Sequence, residues 1–263
     1  MAEPAPIGVF DSGLGGLSVL REIAAKRPDL STIYVADSGY CPYGAKSADQ
    51  IIARAEAITE FLLGQGAQLI VVACNTATIA AVEYLRAHYS VPFVGMEPAV
   101  KPAVAATRSG VIGVLATGAA LAGDKLHRLI DRHRGEVRVI TQPCPGLVEQ
   151  VEHGDLDGPE TRRLLAEYAL PLVAAGADVL VLGCTHYPFL RATLADIVRT
   201  GVTLLDTGEA VARRVDSLLP PASVVIGVPT AARRWFSSGD PMQMEAIGGR
   251  LWGASLRAQP LVA

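Results

Sequence analysis

The chain has few aromatic residues, 5% of the total, which argues against a platform for stacking nucleic-acid bases. It also lacks an excess of basic charge. With 23 Lys and Arg against 26 Asp and Glu the formal net charge is −3, whereas a dedicated nucleic-acid binder usually carries a strongly basic domain. No apolar run approaches the ~18 residues of a membrane span. The richest stretch, from Leu69 to Val82, is interrupted by Cys74, Asn75, Thr76 and Thr78. The opening Met-Ala-Glu-Pro has no basic region leading into an apolar stretch, so no secretory signal is evident and a cytoplasmic location is expected. Cysteine is scarce: the four residues Cys41, Cys74, Cys144 and Cys184 form no C-x-x-C pair, which excludes zinc-ribbon and thioredoxin-like centres on spacing alone. In a cytoplasmic chain they should be reduced thiols. Gly13 and Gly15 suggest a dinucleotide loop, but the glycine that G-x-G-x-x-G requires next is Ser18. No phosphate-binding G-x-x-x-x-G-K-[ST] loop exists either. No metal, nicotinamide or nucleotide cofactor is therefore implied.

What the sequence does contain is 263 residues, half of them hydrophobic, enough for one large domain or two smaller ones. Short β-branched runs at 7–10, 33–35, 69–73, 93–94, 111–115, 137–140, 179–182 and 202–205 read as strands. Helical patterns fill 16–25, 48–65, 79–88, 119–134, 159–174, 190–198 and 209–218. This alternation predicts βαβ units and a mostly parallel sheet, and the continuously apolar strands predict helices on both faces. The tail at 236–256 has a helical pattern and is expected to pack back on one half. Arg132, His133 and Arg134 read as a solvated helix C-terminus.

Two segments resemble each other. Gln68-Leu-Ile-Val-Val-Ala-Cys-Asn-Thr-Ala is echoed by Asp178-Val-Leu-Val-Leu-Gly-Cys-Thr-His-Tyr, each preceded by Gly-Ala. Upstream, Ile7-Gly-Val-Phe-Asp-Ser-Gly is echoed by Ile112-Gly-Val-Leu-Ala-Thr-Gly. The cysteines lie 110 residues apart and the isoleucines 105. Two pairs in the same order at similar offset point to a duplicated α/β unit.

Ligands of open parallel sheets bind beyond the carboxyl ends of the strands, which is where Cys74 and Cys184 fall. A following helix N-terminus would favour the thiolate and offer N–H groups to a substrate carboxylate. Two thiols on opposite faces of one carbon suit proton removal from one side and return from the other. A nucleophilic cysteine enzyme would leave the second thiol superfluous, and a redox pair would need the sulfurs to touch. Asp11 and Ser12 follow another strand, where Asp11 could orient a substrate ammonium or assist a thiol, or either could simply cap the helix. His186, two residues after Cys184, is expected in the first turn of a helix. Pro42, Tyr43 and Gly44 read as a turn able to present backbone N–H groups. Glu152, near the start of a helical stretch, reads as a surface carboxylate.

The motifs Phe10-Asp-Ser-Gly-Leu-Gly-Gly-Leu-Ser, Pro42-Tyr-Gly, Ala73-Cys-Asn-Thr-Ala, Gly95-Met-Glu-Pro, Gln142-Pro-Cys-Pro-Gly-Leu-Val-Glu and Leu182-Gly-Cys-Thr-His-Tyr-Pro together resemble the glutamate racemases. The resemblance implies a cofactor-independent enzyme that interconverts L- and D-glutamate and supplies D-glutamate for peptidoglycan. It implies two pseudo-symmetric α/β domains with the active site in the cleft between them, here 1–97 with 208–263, and 98–207. Carried over by motif, Cys74 would act on D-glutamate and Cys184 on L-glutamate, with Asp11, Glu152 and His186 assisting. Asp11, Ser12, Pro42, Tyr43 and Gly44 would line the substrate site, together with Asn75, Thr76, Thr117, Thr185 and His186. The resemblance alone raises Glu152 from a surface carboxylate to a candidate. Two positions depart from the pattern: Ala120 stands where a second threonine is usual, and Gly118 where a larger residue is common. The partner is a small molecule, with neither nucleic acid nor membrane; the family is often dimeric, which leaves a homodimer open. Rival readings are an aspartate or hydantoin racemase, and a binding protein using the same cleft; the intact pair of cysteines weighs against the latter.

Overall fold

A computed structural model describes residues 5–221 and 231–262. The chain divides into two compact units, one of Met1–Met96 with Gly208–Ala263 and one of Glu97–Thr207. Both are α/β with all-parallel sheets, the class expected from the alternation of strand and helix patterns. Among the described residues no helix is long and apolar enough to cross a membrane.

The first unit runs β1 (Ile7–Asp11), α1 (Leu17–Lys26), β2 (Thr32–Ala36), α2 (Ala48–Gly64), β3 (Ile70–Val72), α3 (Asn75–His88) and β4 (Phe93–Val94). The second unit runs α4 (Val100–Ala106), β5 (Val111–Ala116), α5 (Gly118–Ala122), α6 (Asp124–His133), β6 (Arg138–Pro143) and α7 (Leu147–Glu152). It continues through α8 (Pro159–Ala174), β7 (Val179–Leu182), α9 (Arg191–Val198) and β8 (Thr203–Leu205). The chain then returns to the first unit with α10 (Gly208–Leu218), β9 (Arg233–Ser237) and β10 (Ala258–Pro260).

The four-strand core is the same in both units: β2-β1-β3-β4 in one sheet and β6-β5-β7-β8 in the other. Register agrees as well, since Gly8 pairs with Ile70 and Gly113 with Leu180. At both glycines an added Cβ would meet a leucine of the covering helix at 2.8 Å, Leu62 of α2 and Leu172 of α8 respectively. That helix therefore approaches its sheet only because the strand has no side chain there. Each of these helices also ends alike. Gly66 and Gly176 adopt positive φ, and the next N–H donates to the same leucine's carbonyl at 3.0 Å, Ala67 to Leu62 and Ala177 to Leu172. This is the left-handed glycine stop that turns a helix back into a strand.

The structure corrects four local expectations. The tail at 236–256 is not one helix: β9 adds to the open edge of β2, short helical turns fill 241–252, and β10 pairs with β9. An edge strand with unpaired backbone groups accepts such an addition, and Trp235 and Phe236 then meet Trp252 and Phe61 edge to face, with ring centroids 5.2 and 4.9 Å apart. The pattern at 119–134 is split into α5 and α6 at Gly123. Glu152 ends α7 instead of standing near a helix start. His186 precedes a short 3-10 turn, Tyr187–Leu190, and α9 begins only at Arg191. Proline at position 188 suits that first turn, because its missing N–H is not needed there.

Candidate active site

In the first unit the sheet's carboxyl end gathers Asp11, Ser12 and Cys74. The buried Asp11 carboxylate accepts the N–H of Gly16 at 2.9 Å and of Gly13 at 3.3 Å, which folds the glycine-rich turn into α1. Tyr34 donates its hydroxyl to the Gly13 carbonyl at 2.8 Å and fixes the same turn from below. Ala73 N–H donates to the Phe10 carbonyl at 2.7 Å, so Cys74 is the first residue beyond the ladder. Cys74 is the N-cap of α3: its sulfur accepts the Ala77 N–H at 3.4 Å, and its thiol faces Ser12 Oγ at 3.8 Å. The helix favours the thiolate by its dipole and N–H groups, while the protonated thiol donates to the serine oxygen.

Asn75 and Thr76 form the buried first turn of α3. Asn75 is 4% exposed, and its amide nitrogen meets no hydrogen-bond partner among the described residues. An unpaired buried donor costs about 1–3 kcal/mol, so this amide is prepared for an acceptor brought from outside. Pro42 leads into a 3-10 turn, Tyr43–Ala45. The Tyr43 ring is buried with its hydroxyl donated to Asp37 at 2.6 Å. Burial, the Asp37 charge and that bond push the phenol well above its ordinary value, so it remains a donor. Gly44 beside it is half-buried.

In the second unit the equivalent strand end carries a different set. Gly183 N–H donates to the Leu115 carbonyl at 2.8 Å, the counterpart of the Ala73 bond, and Cys184 follows it. Cys184 Sγ lies 3.7 Å from His186 Nδ1, and His186 Nε2 lies 2.6 Å from Glu152 Oε1. A thiol, an imidazole and a carboxylate thus form one chain, with His186 1% exposed. A carboxylate on Nε2 holds the proton on that nitrogen and turns the Nδ1 lone pair toward the sulfur. Thr185 is buried between the two. Thr117 caps α5, its hydroxyl accepting the Ala120 N–H at 3.3 Å. Ala120 is buried, whereas a Cβ added at Gly118 would meet nothing within 4 Å.

The other two cysteines differ. Cys144 donates its thiol to the Gln142 carbonyl at 3.3 Å, and burial pushes it up to about 12. Cys41 is half-buried in the first unit. Sequence reasoning gave neither Asp37 nor Arg54 a role. Yet Asp37 is fully buried and paired with Arg54 at 2.8 Å. The available signal was an aspartate directly after an apolar strand, a place where an isolated charge cannot stay unpaired.

The chain matches the family described as Asp/Glu/Hydantoin racemase over residues 7–215. It is 57% identical to a glutamate racemase of Ectopseudomonas mendocina over 244 residues, covering 92% of this chain and 93% of the relative. Among solved structures it is similar to a glutamate racemase of Bacillus anthracis, with TM-score 0.88 and 29% identity over 99% of this chain and 98% of that one. It is also similar to the Escherichia coli glutamate racemase in complex with L-glutamate and the activator UDP-MurNAc-ala. There the TM-score is 0.85 and the identity 32%, over 98% of each chain. With strand ends, motifs and overall similarity in agreement, the chain belongs to the Asp/Glu/Hydantoin racemase family and is an isomerase of that kind.

Proposed function

We propose that the protein interconverts L- and D-glutamate without a cofactor, using one thiol from each unit. The observation that carries this reading is the equivalence of Cys74 and Cys184, each one residue beyond the last ladder bond of its unit's third core strand. In the L-to-D direction Cys184 acts as thiolate and takes the α-proton, forming an S–H bond while the C–H electron pair stays on the α-carbon. The Cys74 thiol then gives its proton to the opposite face of that carbon. The reverse direction exchanges the two roles, so each turnover leaves the protonation states of the thiols swapped. His186, oriented by Glu152, assists proton transfer at Cys184. The N-terminus of α3 does so for Cys74, whose thiol donates to Ser12 Oγ.

The unpaired Asn75 amide and the first N–H groups of α3 supply donors for a substrate carboxylate. Thr76, Thr117 and Thr185 add hydroxyls, and Asp11 suits the ammonium. Such fixed donors stabilise the negative charge that develops when the α-proton leaves. The D-glutamate formed in the cytoplasm would feed peptidoglycan precursors.

The test is incubation with L- or D-glutamate in deuterated water under reducing conditions, followed by NMR of the α-proton and by circular dichroism. Loss of the α-proton signal and decay of the dichroism toward zero are expected from either enantiomer. Absence of exchange from both would overturn the reading, and faster exchange of aspartate than of glutamate would change the substrate.

A further inference from the structure

Arg54 projects from α2 onto the loop that precedes it. Its guanidinium grips both oxygens of Asp37, Nε to Oδ2 at 3.1 Å and Nη2 to Oδ1 at 2.8 Å. Its face lies over the Tyr40 ring, 4.0 Å from the centroid. Asp37 Oδ2 also accepts the Tyr43 hydroxyl at 2.6 Å, while Asp37 N–H donates to the Asp11 carbonyl at 2.9 Å. One side chain therefore reaches the start, the middle and, through Asp37, the end of the segment 37–43.

Stability alone is a poor reason for this arrangement. Burying a charge as fully as that of Asp37 costs several kcal/mol, even with the half-buried Arg54 beside it, and a well-packed apolar pair often does as well. The second unit shows the neutral alternative: Cys144 occupies the matching place, its N–H donating to the Ala116 carbonyl at 3.0 Å, with a thiol in place of the carboxylate. What the charged version adds is geometry, since a planar fork and a stacked face fix direction where an apolar contact does not. The Tyr43 ring it holds belongs to the same apolar cluster as Cys74 and lies within electrostatic reach of that thiol.

We propose that Arg54 is a positioning residue that clamps the segment 37–45, setting the Pro42–Gly44 turn in the conformation the substrate meets beside Cys74. This rests on the glutamate reading of the site. A lysine cannot replace the clamp, because one ammonium neither spans two carboxylate oxygens in plane nor stacks on Tyr40.

The experiment compares Arg54→Lys, Arg54→Gln and Tyr40→Leu with the parent protein. Readouts are KM and kcat for both enantiomers, and amide hydrogen exchange along the whole chain. Both Arg54 variants should raise KM at least about fivefold for both enantiomers, with a smaller change in kcat. Exchange should accelerate at Cys41, Ala45 and Lys46, whose N–H groups close the turns of this segment, and not across β1 or α3. Tyr40→Leu keeps the ion pair and the fold, and should shift KM and local exchange the same way by about twofold. The proposal is overturned if Arg54→Lys keeps parental KM and parental exchange over 38–46, or if protection is lost throughout the first unit. Should the Arg54 variants not fold, Tyr40→Leu decides by the same criteria. Amide exchange needs no turnover: a parent protein inactive on glutamate would sink the substrate reading, while exchange over 38–46 would still decide the clamp.

Discussion

The two units share a scaffold to the level of single hydrogen bonds and differ in almost every polar side chain mounted on it. Ala73 and Gly183 make the same strand-ending bond, and Asp37 and Cys144 make the same bond one strand over. Around this frame, Cys74 meets a serine hydroxyl and a helix N-terminus, whereas Cys184 meets an imidazole backed by a carboxylate. At the matching starts of β3 and β7 stand a neutral Gln68 and a charged Asp178. Asp178 accepts Thr107 Oγ1 and the N–H groups of Arg108 and Ser109 at 2.5, 2.8 and 3.0 Å. Backbone geometry is constrained by the ladder and the helix stop, so it persists. Side chains beyond the ladder answer only to local chemistry, and there the halves have specialised.

The equivalence of the thiols is the claim with the largest consequence. Cys74→Ser and Cys184→Ser should each lower kcat/KM by about 10³-fold or more, as expected on losing an essential acid–base group. The two enantiomers are equal in free energy, so the fall must be identical in both directions. Circular dichroism from each enantiomer measures it, and parental turnover in either variant would break the equivalence.

The difference between the thiols is tested next. His186→Gln should lower kcat by roughly 10–100-fold, more in the L-to-D direction, and Ser12→Ala by less than about tenfold. Initial rates from both enantiomers decide this, and equal losses from the two variants would erase the proposed asymmetry.

A smaller effect concerns Asp178. Burial raises its carboxyl, but the bonds from Thr107, Arg108 and Ser109 outweigh burial and leave it at about 2, below the ordinary 3.8. Its stabilisation is therefore present above the ordinary value and lost as pH falls toward about 2. Asp178→Asn should remove about 1–2 kcal/mol of acid-sensitive stability, whereas Gln68→Glu should confer none of it. Melting curves at pH 3 and pH 7 read the difference.

The smallest effect is that of Cys144. Because burial raises its thiol from 9.0 to about 12, the folded state keeps a proton that the unfolded chain releases. Its contribution is complete below the ordinary value and declines as pH climbs through that interval. Cys144→Ala should reduce the stability lost between pH 7 and pH 10 by about 1 kcal/mol. Denaturant unfolding at the two pH values checks it; an unchanged loss would mean the thiol ionises alike in both states.

Much of the scaffold is legible in sequence because it rests on local signals. The apolar runs at 70–72 and 179–182, the Gly-Ala stops at 66 and 176, and proline at 159 opening α8 all act within a few residues. The elements that escaped were those without a local signature. In α7 the six residues are too few for a period to show, and α4 carries Pro102 inside it. β9 exists because β2 offers it an edge. At the site, the cysteines stood out by repetition. The pairing of His186 with Glu152 spans 34 residues and that of Asp37 with Arg54 spans 17, and no spacing rule connects either pair.

By itself, then, the sequence determined two parallel α/β repeats, their order, and a thiol at the matching strand end of each. Periodicity, helix stops and strand-end positions are properties of neighbouring residues. Only the tertiary structure decided what each thiol touches: a hydroxyl and a helix end for one, an imidazole and a carboxylate for the other. It also decided that a half-buried arginine grips the loop beside the first. Those contacts arise where separate helices and strand ends converge, and convergence is set by how elements pack on a sheet, which the linear spacing of residues does not record.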